Sequence, residues 1–397
     1  MRTRSLSATI LTAALGIGTV GAVALAVPTA GADPHGRPPH ALSVRTVLSG
    51  ASLNHTFTPA GGTITATESL SDPDDVTQLG GTLFVGFQNG VGPTGGPSTD
   101  GNRDSTIVEF TPVGKVLGQW DVPGKADGVT DDPALGGVIV TLNEDGNSAL
   151  AVVHPGGNGR GGSVTNYAYN KPLPHNGGTD AITIWQGRIF VSASAPGTTG
   201  DPAPQPQYPA VYSVSLDTAT AVATVTPVFY DEDAATVANV GSHRGQRTTL
   251  GLTDPDSSEA VPFFAPRFAG QFMLTSQGDL QQVYVAGAGT PFQHLSVLNL
   301  SQSVDDTAWP IGPGGLFATD AGADSVDVVT GSFGDQPVVA VTPCGSNSAP
   351  STCPAPGFPA DYLGTLDPWT GQIAPLVLHG VPFTPKGGLT WLSAPRR

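Results

Sequence analysis

The sequence predicts an all-β fold, a single β-propeller of about six four-stranded blades, and three observations carry that expectation. The first is an acidic step that recurs along the chain. It stands at Pro73-Asp74-Asp75-Val76, Ala126-Asp127-Gly128-Val129, Thr179-Asp180-Ala181-Ile182, Pro255-Asp256-Ser257 and Asp305-Asp306-Thr307. A turn and an apolar burst (LGGTLFVGF, LGGVIVTL, WQGRIFVSA, PGGLFATDA) follow most of these steps. Asp75, Asp127, Asp180, Asp256 and Asp306 are 52, 53, 76 and 50 residues apart, the repeat length of a propeller blade. The second is composition: charged residues are 12% of the chain, while Gly (53) and Pro (37) are abundant, as many short strands and tight turns require. The third is that no run with apolar residues at i, i+3, i+4 and i+7 follows the first thirty positions.

The elements follow in order. Arg2 and Arg4 precede an uncharged apolar stretch from Leu6 to Val27, and Ala30-Gly31-Ala32 offers a small-x-small cleavage site. Residues 1–32 therefore predict an export signal and a secreted, extracellular protein; the stretch is also long enough for an uncleaved anchor. Residues 33–40 form a flexible lead-in, and 41–397 the propeller. Two β segments, Leu42 to Leu48 and Thr63 to Leu70, precede the first acidic step and are expected to complete the last blade, which removes the open edge of the ring.

Units then begin at Asp72, Asp127, Asp180, Asp256 and Asp306. The fifth is expected to hold GLFATD, SVDVVTG, PVVAVTP, YLGTLDP and PLVLHG in sequence, with a last inner strand near Leu389 that pairs with the N-terminal strands. Long spacings mark inserts near 231–254 and 343–360. Trp185, Trp309 and Trp391, each just after an inner-strand start, are expected between blades.

The segment ADGVTDDPALGGVIVTLNEDGNSALAVVHP resembles a blade of the NHL, YVTN and SMP-30/gluconolactonase-like propellers. The resemblance implies the propeller fold across nearly the whole chain after the leader. It also implies a divalent metal in the channel, held by Glu, Asn and Asp, with a metal-bound water or base that opens a lactone. The sequence departs from that pattern: the Glu expected just after the first strand is absent, and Glu68 is its only nearby substitute.

Equivalent inner-strand starts open on one face of a propeller, so Asp75, Asp127, Asp180, Asp256 and Asp306 are expected to crowd one mouth. Crowded carboxylates are relieved by a cation such as Ca2+ or another divalent metal, by raised pKa values, or by local hydrogen bonds from backbone N–H groups. Lys386 stands where a sixth Asp is due. Asp100-Gly-Asn102-Arg-Asp104 and Asn143-Glu144-Asp145-Gly146-Asn147 are candidate surface cation loops, the second also a hairpin turn. His175, five residues before Asp180, is the candidate general base. Cys344 and Cys353 are the only cysteines, and in an exported chain they predict a disulfide.

The net charge of −16, from 27 Asp and 5 Glu against 16 Lys and Arg, excludes nucleic acid as a partner. No G-x-S-x-G, H-E-x-x-H, P-loop or dinucleotide fingerprint is present. The expected function is a monomeric extracellular propeller that binds a small molecule, carbohydrate or protein at an acidic mouth, without a membrane span after signal cleavage. The alternative is a divalent-metal-dependent hydrolase of the lactonase type.

Overall fold

A computed structural model describes residues 42–156, 161–174, 177–196, 208–343 and 361–394. The expected leader, lead-in and cystine (Cys344, Cys353), and the candidate base His175, lie outside the described residues. Among the described residues the regular structure is strand, with short 3-10 turns and no α-helix. No helix among the described residues is long and apolar enough to cross a membrane.

Six inner strands surround the channel: Pro73–Leu79, Ala126–Asp132, Thr179–Trp185, Pro255–Ala260, Val304–Ala308 and Leu389–Ser393. Each is the innermost strand of one blade, as the acidic repeat predicts. Blades one to three are built in simple order; blade one is Pro73–Leu79, Thr82–Phe87, Asp104–Phe110 and Val116–Pro123. Second strands such as Gly137–Leu142 are buried on both faces, so they read as continuous apolar runs. Outer strands such as Val116–Pro123 keep solvent-facing positions. The insert near 231–254 is a hairpin, Ala234–Val237 with Arg247–Thr249, that widens blade four by pairing parallel to His294–Asn299.

The expected order of the last two blades is wrong, and topology explains why. Val304–Ala308 pairs with Val338–Val341, not with the next strand in sequence. The chain leaves blade five to lay down Gly314–Asp320 and Ser325–Thr330 in blade six, then returns for Val338–Val341, Tyr362–Leu366 and Ile373–Pro375. Blade six is completed by Leu42–Ser49 on its outer side and Leu389–Ser393 on its inner side. The N- and C-terminal strands therefore share one sheet, as predicted, but two strands stand between them. The other early segment forms a separate hairpin, Asn54–Phe57 with Ala66–Ser69.

Six apolar clusters fill the six wedges between neighbouring blades. Phe84 and Ile107 of blade one meet Val129 and Val140 of blade two, and Leu48 and Phe317 of blade six meet Val76 and Val85 of blade one. Trp185 sits in the wedge between blades three and four, where its indole N–H donates to the Gly270 carbonyl at 3.0 Å. Each fully buried aromatic in these wedges contributes about 2 kcal/mol or more through area removed from water.

Candidate functional site: an acidic channel mouth

Every acidic step coincides with a β-bulge. Register shifts fall between Pro73 and Val76, Ala126 and Val129, Thr179 and Ile182, Pro255 and Ser257, and Val304 and Thr307. A bulge puts two residues opposite one and re-aims their side chains. Counted from the bulges, the equivalent ring positions are Asp74, Asp127, Asp180, Asp256 and Asp305. Asp75 and Asp306 fall one residue further on, where the other strands carry Gly128, Ala181, Ser257 and Gly388.

Those two carboxylates have a different task. Asp75 accepts from the N–H of Val76 at 2.7 Å and from that of Val129, in the next blade, at 2.6 Å. Asp306 accepts from Thr307 and, across the joint to blade six, from Leu389, both at 2.6 Å. Each is a bracket between neighbouring inner strands, so for this pair the backbone hydrogen bonds named above are what the structure displays.

The sixth station carries no Asp because there is no room. A Cβ on Gly388 would lie 2.1 Å from Asp75 Oδ1, and one on Gly387, at φ +96°, 2.2 Å from the Asp74 carbonyl oxygen. Lys386 precedes this pair; it is exposed and lines the cavity rim.

The mouth opens into a cavity of about 720 Å³ whose wall includes the five ring Asp residues, Lys125, Glu144, Glu259 and Asp361. Deeper in, Thr77, Thr130, Thr183 and Thr390 line it. Asp127, Glu144 and Asp180 converge: each offers an oxygen within 4.8 Å of the other two. Local hydrogen bonds impose this. The Lys125 N–H donates to Asn143 Oδ1 at 2.9 Å and the Asn143 N–H to the Lys125 carbonyl at 2.8 Å, which ties the turn carrying Glu144 to the strand carrying Asp127. Ser148 Oγ donates to the Asn143 carbonyl and accepts from the Thr179 N–H at 2.9 Å, which brings in the strand of Asp180.

Lys125 Nζ pairs with Glu144 and lies 3.6 Å from Asp127 Oδ1, which also accepts from Gln88 Nε2 at 3.3 Å. Asp127 is only 4% exposed, and no N–H or hydroxyl group donates to its buried Oδ2; the carboxyls of Glu144 and Asp180 lie within hydrogen-bonding reach of this group. An unpartnered buried carboxylate oxygen is costly unless a proton or a cation meets it.

Burial in like-charged company raises these acids. Asp127 is pushed up to about 6 by burial, against the pull of Lys125, and Glu144 to about 7 by burial and Asp127. Asp180 rises well above the ordinary range through burial and then Asp127. On the far side, Asp256 is raised in the same way by burial and Asp305, whose carboxyl lies within hydrogen-bonding reach. Asp74 is pushed to about 7, chiefly by burial.

The structure thus brings together Asp127, Asp180 and Asp256 of the predicted set and sets Asp75 and Asp306 apart as brackets. Lys125, Asp74 and Asp305 join the mouth from outside the predicted set; the sequence carries no signal for them, because the bulges set which residue of each step faces the channel. Glu144 comes from the second candidate cation loop, turned into the mouth rather than out to solvent. The first candidate loop is closed to a cation: Asn102 is fully buried, its Oδ1 accepts from the Asp104 N–H at 2.9 Å, and its amide donates to Glu68 and the Asp104 carbonyl. Glu68 lies with this loop and is absent from the cavity wall.

The fold is that of a β-propeller. No family model matches the chain, and no curated protein matches it. Among solved structures, the periplasmic gluconolactonase of Pseudomonas aeruginosa is 14% identical with a TM-score of 0.42, over 90% of this chain and 99% of that one. A streptogramin B lyase structure is 10% identical with a TM-score of 0.35, over 87% and 74%. A protein from Lactobacillus plantarum is 12% identical with a TM-score of 0.41, over 89% and 100%. Likenesses this distant say nothing of what this chain binds or catalyses.

Proposed function

We propose that the protein is an extracellular ligand-binding propeller that holds a divalent cation of the Ca2+ type between Asp127, Glu144 and Asp180, and through it a small oxygen-bearing ligand in the mouth. The observation that supports this reading is the buried Asp127 Oδ2, to which no N–H or hydroxyl donates, in a group of three convergent carboxylates. Hard cations take carboxylate oxygens at about 2.3–2.6 Å, and small side-chain movements bring this group to that distance. The cavity exceeds a single ion in volume, which leaves space for a ligand above it.

Lys125 already supplies one positive charge and lowers the demand for a second. A divalent ion therefore competes with a proton shared among the three acids. Calorimetric titration of purified protein with Ca2+, Mn2+ and Zn2+ tests the reading. Asp127→Asn and Asp180→Asn should each weaken the tightest ion by about tenfold or more. Wild-type protein that binds none of the three ions overturns it.

A second reading, hydrolysis of the lactone type, is favoured by Asp74. Burial moves its carboxyl to about 7 in the same cavity, near the value suited to general acid–base work at neutral pH. Metal-dependent lactone opening by wild-type protein, with loss in Asp74→Asn, supports it; a panel of lactones left unhydrolysed with metal bound removes it. Export rests on the N-terminal apolar stretch, and sequencing the N-terminus of secreted protein is its test.

A further inference from the structure

His55 lies outside the mouth, on the hairpin strand Asn54–Phe57, and is 5% exposed. Its Nε2 is 2.9 Å from Glu68 Oε1 on the paired strand, and its Nδ1 is 3.5 Å from Asp121 Oδ1 on the outer strand of blade one. Nδ1 is buried with no hydrogen-bond partner, and its 3.5 Å approach to Asp121 is that of an ion pair. A neutral imidazole has one N–H, which the contact to Glu68 takes; only the doubly protonated imidazolium also turns an N–H and a positive charge toward Asp121. Asn102 Nδ2 stands 3.4 Å from Nε2, but the shorter contact to Glu68 marks that nitrogen as a donor. Phe57 stacks on the ring at 5.4 Å. The charged groups around His55 are Glu68, Asp121 and, from the third strand of blade one, Asp104; all three are acids.

Asn102 ties this group to the mouth. Its amide donates to Glu68 at 3.0 Å, and it ends the loop that begins at Gln88. The hairpin also holds that loop at its tip, where the Ala60 N–H donates to the Gly101 carbonyl at 2.8 Å. The loop in turn carries the mouth. Gln88 donates to Asp127; the Pro93 carbonyl accepts from the Asp145 N–H at 3.0 Å, and the Thr94 carbonyl accepts from Asn147 Nδ2 at 3.2 Å. Asp145 and Asn147 flank the turn of Glu144. We infer that His55 is a proton-operated clasp: its imidazolium, held between Glu68 and Asp121, pins the hairpin to blade one and so orders loop 88–103 and the turn that positions Glu144.

The flanking acids raise the proton affinity of His55 over the cost of burial. A group whose folded pKa is raised stabilises fully below its unfolded value, about 6.5, and loses that contribution as pH rises through the folded value. The clasp is therefore closed in mildly acidic medium and loosens as pH rises through the raised folded value of His55. His55 touches neither cation nor ligand; it is a positioning residue, and the inference stands whether or not the mouth binds an ion.

Hydrogen exchange read by mass spectrometry, on the full chain without added metal, tests this. After correction for the intrinsic pH dependence, the segments 54–69 and 88–103 of wild type should exchange about tenfold faster at pH 8.5 than at pH 6, the change expected for one lost charge-assisted contact. In His55→Gln the step should vanish. Glu68→Gln, which keeps the hydrogen bond and removes the charge, should shrink it, and this variant decides the matter if His55→Gln does not fold. Protection of loop 88–103 that is independent of pH in wild type, or a step that persists unchanged in the variants, overturns the inference.

Discussion

A single residue position separates two uses of aspartate here. Asp74 and Asp75 are neighbours on the cavity wall, yet only Asp75 spends both oxygens on backbone N–H groups of two blades. Asp306 repeats the bracket at the joint between blades five and six. Asp306→Ala leaves two N–H groups without their acceptor at a 5% exposed site and should destabilise the fold by about 2–4 kcal/mol, measured by denaturant unfolding. The sequence displays the acidic repeat but not its phase, because Pro-Asp-Asp-Val and Val-Asp-Asp-Thr offer two candidates and only the bulge selects between them. Lys125 and Glu144 are legible as residues and hidden as partners: the hydrogen bonds between Lys125 and Asn143 that join their turns close across one hairpin and leave no mark in the composition of either turn.

At the scale of the strand, the sixth inner element shows why a repeat can lose its motif without losing its place. Leu389–Ser393 enters the ring through Gly387-Gly388, whose backbone is pressed against Asp74 and Asp75, with the Gly388 N–H donating to the Asp74 carbonyl at 2.7 Å. Gly388→Ala should overpack this joint and cost about 3 kcal/mol. Thermal melts read the loss, and a variant as stable as wild type would mean that the joint yields. The apolar bursts made most strands readable, since buried second strands have no polar face to confuse the pattern. The interleaving of blades five and six was not readable, since nothing in a strand's own composition says which of two adjacent blades it joins.

At the scale of the whole molecule, burial of many acids around one channel makes the fold sensitive to proton concentration. Asp74 and Asp254 are pushed up to about 7 and Asp75 to about 6, in each case first by burial. Such groups keep their proton in the folded state over a range where the unfolded chain has released it, so the folded state binds more protons and stability falls as pH rises. Between pH about 4 and about 7 the melting temperature of metal-free protein should drop by several degrees. Saturating divalent cation should flatten that slope, because an ion bound only by the folded state adds stability where the carboxylates are charged. A melting temperature that rises over this range in metal-free protein would contradict the raised values.

The shared sheet of blade six has one more consequence. Leu42–Ser49 runs antiparallel to Ser325–Thr330, which runs antiparallel to Gly314–Asp320, which runs antiparallel to Leu389–Ser393. Three reversals set the first and last of these strands in opposite directions. Leu42, where one begins, and Ser393, where the other finishes, therefore lie at the same end of the sheet, away from the inner-strand starts that form the mouth. A tether fused ahead of Leu42 or behind Ala394 leaves from the underside. On a bead, a chip or a cell envelope, either attachment presents the acidic opening outward to whatever diffuses past.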